Sequence, residues 1–139
     1  MRLDHVAHPC QNPHETHRFY AGILGLKLIQ AYPGKQLLLV YALPGGGSLA
    51  FTTSTNQLRS VDDADWECRH IGLTVDTRAE FDSWLSRLNE HGIRHKFIDD
   101  ERVYFSDPDG LVLELEVASP TTINTAAEEI LAHWSPVPH

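Results

Sequence analysis

Three side chains in this sequence could share a metal ion: His5 in "LDHVAH", His70 in "CRHIGLTVD" and Glu114 in "LVLELEV". The stretch from Val103 to Val117 poses the question directly. There a tight Asp107-Pro108-Asp109-Gly110 turn leads into an apolar run that carries both Glu114 and Glu116. Strand alternation puts Leu111, Leu113, Leu115 and Val117 on one face, and Val112, Glu114 and Glu116 on the other. A carboxylate on the pocket side of a sheet is costly unless something positive meets it. Two imidazoles and one carboxylate suit a borderline divalent cation such as Fe(II), Mn(II), Ni(II) or Zn(II). Three protein ligands also leave coordination positions open for water or substrate. Glu116 lies nearer the strand end, where solvent or a lysine can satisfy it.

Elements that could hold these residues repeat along the chain. "LDHVAHPCQNPHETHRFY" and "CRHIGLTVDTRAEFDSWL" align at a constant offset of 65 residues, which relates His5 to His70, Glu15 to Glu80 and Phe19 to Trp84. Each copy reads as a strand bearing a histidine, a turn and a helix. Asn12 with Glu15 and Thr77 with Glu80 form capping-box patterns, the first with Pro13 at the first helical position. Phe81, Trp84, Leu85 and Leu88 make the apolar stripe of the second helix, and Phe19, Tyr20, Ile23 and Leu24 that of the first. After each helix comes a glycine, Gly25 or Gly92, and then three strand-like runs. Each half therefore reads β-α-β-β-β. In the last strands Glu114 falls opposite Ala50, at an offset of 64. A pseudo-twofold pairing of the halves would bring two imidazoles and one carboxylate together, with a small apolar residue where a fourth ligand could stand.

These boundaries give an α+β fold over residues 1–118, with module one at 1–55, a polar linker at 56–67 and module two at 68–118. Residues 119–139 form a tail. Thr125 and Glu128 make a third capping-box pattern there, and Ile130, Leu131 and Trp134 an apolar stripe, so a short helix is expected to dock on the chain or on a partner subunit. The formal net charge of −8 excludes the basic footprint of a nucleic-acid binder. No apolar run reaches membrane length and "MRLDHVAHPC" has no signal-peptide core. With only Cys10 and Cys68, no disulfide framework is expected, and the cytoplasm is the expected location. His8, His14, His17, His133 and His139 read as bystanders to metal chemistry.

The motifs "LDHVAH", "FYAGILGLKL", "RHIGLTVD" and "VYFSDPDGLVLELE" resemble the vicinal oxygen chelate superfamily. That group includes glyoxalase I, extradiol ring-cleaving dioxygenases, methylmalonyl-CoA epimerase, and the fosfomycin and bleomycin resistance proteins. The resemblance implies paired βαβββ modules in a curved mixed sheet around a divalent metal. It implies His5, His70 and Glu114 as ligands, a small-molecule substrate and a homodimer. Fold alone does not fix the chemistry. Glyoxalase I carries an acidic ligand where this chain has Ala50. Fosfomycin-resistance transferases carry a threonine where Ala7 stands, and an arginine-bearing segment where "VASPTTINTAAEE" stands. The extradiol signature is matched in order by His95, Val103-Tyr104, the Asp107 to Gly110 turn and Glu114. On that reading the metal is Fe(II), Tyr104 hydrogen-bonds a substrate hydroxyl, and His95 stabilises developing charge or moves a proton. The alternatives are a glyoxalase I-like lyase or isomerase, and a protein that binds a drug or metabolite without turnover.

Overall fold

A computed structural model describes residues 1–55, 66 and 69–136. The first half runs β1 (His5–Cys10), α1 (Pro13–His17), β2 (Lys27–Tyr32), β3 (Leu38–Ala42) and β4 (Ser48–Thr53). The second runs β5 (Ile71–Val75), α2 (Arg78–Glu90), β6 (His95–Asp99), β7 (Arg102–Ser106) and β8 (Val112–Val117), followed by α3 (Ala127–His133). Each half builds a four-stranded sheet, in the orders β1-β4-β3-β2 and β5-β8-β7-β6. The first strand of each pairs in parallel with the last, and the remaining pairs are antiparallel. Two mixed sheets of one plan are the βαβββ repeat legible in the sequence.

Registers confirm the repeat residue by residue. Ala7 lies beside Ala50 in the first sheet, and Gly72 beside Glu114 in the second. Ala50 and Glu114 are therefore structural equivalents.

Helix starts follow their capping residues. Thr77 accepts from the Glu80 amide while the Glu80 carboxylate accepts from the Thr77 amide, a complete capping box. Asn12 accepts from the amides of His14 and Glu15, but Glu15 turns to Arg18 instead of closing the box. Past His17 the helix widens into a π-helical turn, Arg18–Ile23, closed by Leu24 N–H donating to the Phe19 carbonyl at 2.9 Å. The added residue per turn lets Phe19, Tyr20 and Ile23 all reach the core. The third capping box does not form: Ala126 caps α3, and Asn124 rather than Thr125 accepts from a backbone amide there.

One core joins the halves. Leu113, Leu115, Val103 and Phe105 of the second sheet pack with Phe81 and Leu88 of α2 and with Phe19, Tyr20 and Phe51 of the first half. The Phe19 and Phe105 rings lie 6.4 Å apart, and Arg87 of α2 donates to the carbonyls of Gly22 and Ile23.

The turn after β7 adds a polar tie. Asp107 is 5% exposed. Its Oδ1 accepts from the amides of Asp109 and Leu111, and its Oδ2 from the Tyr20 hydroxyl at 2.8 Å. Gly110 closes the turn at φ 84, a conformation that suits glycine. Burial pushes the Asp107 carboxyl above its ordinary value, against the lowering effect of the Tyr20 hydrogen bond. A folded-state value raised above the unfolded one means stability is fully present below the unfolded carboxyl range and is lost as pH rises through the folded value. Asp107→Asn keeps the Oδ1 acceptor and cannot titrate. Urea midpoints from pH 3.5 to 7 should show wild type losing ground to this variant with rising pH, at no more than about 1.4 kcal/mol per pH unit. Parallel curves would contradict this reading.

The tail helix does not dock on its own chain. Ile130, Leu131 and Trp134 are 57%, 74% and 67% exposed. Most of the linker, together with Cys68 and His139, lies outside the described residues. Trp66 is an exception to the polar reading of that segment: it is 1% exposed and packs with Tyr104 and Val112 in a second, smaller cluster.

Candidate metal centre

Strand alternation places Glu114 as the sequence suggested. Leu113 and Leu115 enter the main core, while Val112 joins Trp66 and Tyr104 on the opposite face, and Glu114 and Glu116 share that face by the period of two. Glu114 is 8% exposed. His70, one residue before β5, meets it there: His70 Nε2 lies 2.9 Å from Glu114 Oε2. His70 Nδ1 is 3.0 Å from the Trp66 carbonyl, which assigns a proton to Nδ1. A neutral His70 then presents a lone pair at Nε2 to a carboxylate that also has only lone pairs to offer. A proton or a cation must lie between them. Burial pushes the Glu114 carboxyl up, with His70 lowering it and Glu116 raising it again. The pair has the donor chemistry for a divalent ion, and the Trp66 carbonyl fixes the orientation of the His70 ring.

His5 is elsewhere. On β1 it faces the Ala50 side of the first sheet, beside Ser48 of β4, with its Nδ1 2.8 Å from Asp4 and its side chain 57% exposed. Among the described residues no three of His, Cys, Asp and Glu are grouped to hold a metal. Of the three residues, His70 and Glu114 are in contact and His5 is not with them.

Tyr104 lies directly across from Glu114 on β7, its ring 5.2 Å from the His70 ring and 6.2 Å from Trp66. His95 is on the wrong face for the role expected of it. It pairs with Phe105, a core residue, so the two share a face opposite to Tyr104 and Glu114. Its ring meets Phe97 at 5.6 Å, and its Nδ1 the Ile93 carbonyl at 3.0 Å. The residues of β6 on the Tyr104 side are Lys96, its cross-strand partner, and Ile98, which packs against the Trp66–Tyr104 cluster. Across from Glu116 stands Arg102 rather than solvent or a lysine.

Sequence reasoning missed Trp66, although an isolated tryptophan in a polar stretch was the available signal. Its indole N–H is buried, with no hydrogen-bond partner among the described residues. His17 and His8 have other partners: His17 meets the Tyr41 hydroxyl at 3.0 Å, and His8 its neighbour's carbonyl at 2.8 Å.

Two sheets of one βαβββ plan, with a histidine before β5 meeting a glutamate on β8, define a class of paired-module proteins. The chain belongs to the Glyoxalase/Bleomycin resistance protein/Dioxygenase superfamily, whose model matches residues 2–115. No curated protein sequence matches it. Among solved structures it is similar to a glyoxalase/bleomycin resistance protein/dioxygenase domain from Frankia sp., at 21% identity and TM-score 0.71, over 86% of this chain and 98% of that one. It is also similar to the fosfomycin resistance protein FosX from Mesorhizobium loti, at 18% identity and TM-score 0.68, over 95% and 98%. A mutant FosX from Listeria monocytogenes, complexed with Mn(II) and 1S,2S-dihydroxypropylphosphonic acid, matches at 17% identity and TM-score 0.68, over 85% and 93%. No helix among the described residues is long and apolar enough to cross a membrane.

Proposed function

We propose that the chain is a metal-dependent enzyme acting on a small oxygen-bearing molecule. Its divalent ion is held by His70 and Glu114 of one copy and by His5 of a second copy. The observation that carries the reading is the 2.9 Å approach of His70 Nε2 and Glu114 Oε2 at a buried position, a contact that needs a proton or a cation between the two atoms. Two features favour a second copy as the source of His5. His5 begins β1 and His70 lies one residue before β5, and among the described residues each of these two strands is an edge of its sheet. Beside β5 a cavity of about 840 Å³, lined by Leu24, Leu26, Leu43, Leu73, Trp84 and Leu88, offers apolar surface that a homodimer would cover.

Bound there, the ion supplies Lewis acidity to a substrate oxygen. The chain's own residues do the rest. Tyr104 would offer a phenol to the bound substrate, Trp66 and Val112 would keep the floor dry, and Glu114 and His70 would hold the ion. A non-redox reaction is favoured first, because the Listeria FosX mutant is complexed with Mn(II) and a dihydroxypropylphosphonic acid, a vicinal diol. The extradiol reading remains second, supported by Tyr104 beside Glu114 on one face and weakened by His95 facing away. Ala50 at the position equivalent to Glu114 leaves no second acid for a glyoxalase I-like proton transfer.

Mn(II)-loaded chain incubated with an epoxypropylphosphonate should form the diol, followed by phosphorus NMR, and Glu114→Gln should reduce the rate by at least a hundredfold. Catechol consumption with oxygen uptake under Fe(II), without diol formation, would favour the second reading. Ligand binding without turnover, indifferent to chelator, would sink both.

A further inference from the structure

Glu114, Tyr104 and Val112 are all buried on one face of the second sheet, although the main core lies on the other face. Trp66 covers them. It is the largest side chain of the small cluster there, where Tyr104, Val112 and the partly buried Ile98 pack with it. The Tyr104 ring meets the Trp66 ring edge to face at 6.2 Å and the His70 ring at 5.2 Å. The indole therefore stands one ring away from the proposed metal ligands. The Arg94 guanidinium lies 5.2 Å from the centre of the same indole.

Two ties hold Trp66 at this centre, and they differ in kind. Its backbone is bonded to the site, because the Trp66 carbonyl meets His70 Nδ1 at 3.0 Å. Its side chain is held by ring contacts alone. The buried indole N–H has no hydrogen-bond partner among the described residues. Buried tryptophans usually place that N–H on an acceptor. A buried donor without one has given up its hydrogen bond to water and regains it on release. The cover over Glu114 is thus complete, yet its side chain has a reason to leave.

We propose that the Trp66 side chain controls access to the His70 and Glu114 centre. It rotates away to admit a divalent ion or a substrate and returns over the loaded site, while its carbonyl stays on His70. This deepens the metal-enzyme reading and rests on it. Rotation about side-chain bonds suffices, since the backbone makes the anchoring bond. An entering ion meets an imidazole whose orientation is already fixed. The returned indole keeps water from the ion, which strengthens its hold on substrate oxygens. The centre fills no faster than the indole leaves.

The test mixes metal-free full chain with Zn(II) in a stopped-flow instrument, with a colorimetric chelator reporting free ion. In wild type the uptake rate should level off as Zn(II) rises, because departure of the indole sets the limit. With an uncovered minor state populated at about 10% or less, Trp66→Ala should take up Zn(II) about tenfold faster or more. Its rate should keep rising with Zn(II), and its release into excess chelator should accelerate alike. Trp66→Phe keeps a ring over Tyr104 and buries no donor, so it should be no faster than wild type. Wild-type uptake that rises linearly throughout, Trp66→Ala at the wild-type rate, or Trp66→Phe as fast as Trp66→Ala overturns the proposal. A measurement without metal separates it from the metal reading. Tetranitromethane should nitrate the exposed Tyr32 in wild type and Trp66→Ala alike, and Tyr104 only in Trp66→Ala, as read by peptide mass spectrometry. Equal nitration of Tyr104 in both overturns the proposal. Chains that bind no Zn(II) but keep the nitration contrast remove the metal reading and leave Trp66 as the cover of this face.

Discussion

Glu114→Ala should reduce Mn(II) affinity by more than the roughly 10–100-fold that follows loss of an outer-shell partner, because it removes a ligand rather than its support. The reasoning starts from burial. A carboxylate 8% exposed has lost most of its water, and its neighbours supply incomplete compensation, which is why its pKa is raised. With Nδ1 turned to the Trp66 carbonyl, His70 meets the carboxylate through Nε2, where a proton or a cation has to lie between them. A divalent ion resolves the conflict and gains from the same dehydration. His70→Ala should act similarly, and His5→Ala should match it if His5 completes the site. Free Mn(II) measured by electron paramagnetic resonance reads all three, and circular dichroism verifies that each variant is folded. Affinity within threefold of wild type in Glu114→Ala would remove the site.

The other large effect concerns stability. Phe105→Ala should cost about 3–5 kcal/mol, the range for emptying a buried aromatic position. Phe105 is 2% exposed and sits where the halves meet, against Phe19 and within the cluster that includes Phe81 and Leu113. Its loss opens a cavity that neither half can close alone, since each is braced by its own sheet. Phe97→Ala, on the neighbouring strand at 51% exposure, should cost less than about 1 kcal/mol. Urea denaturation of both variants separates them. Equal losses would mean that the halves are not joined through this core.

Much of this was written locally. Capping at Thr77, the apolar stripe of α2, the alternation of β8 and the equivalence of Ala50 with Glu114 each depend on residues close in sequence, where periodicity has a fixed phase. His70 and Glu114 met because parallel pairing of β5 with β8 is part of the repeat itself. Relations between the modules were a different matter. Repeat symmetry says that His5 and His70 are equivalent, but not whether one chain or two bring them together. His95 failed for another reason. In "HKFID" neither phase of alternation is cleanly apolar, so only the pairing of His95 with Phe105 fixes its face. Trp66 was hidden by polar neighbours. The π-helical turn has no sequence signal of its own, since "HRFYAGIL" suits an ordinary helix equally well.

Mixing two inactive variants tests the shared site most directly. His5→Ala and His70→Ala chains, unfolded together in equal amounts and refolded, should form a mixed dimer. It joins His5 of one chain to His70 and Glu114 of the other at one of its two sites. Tight Mn(II) binding should return in the mixed dimer at one ion per two chains, while each variant refolded alone binds weakly. No recovery on mixing, or wild-type binding by His5→Ala alone, would contradict a metal ion gripped between two copies.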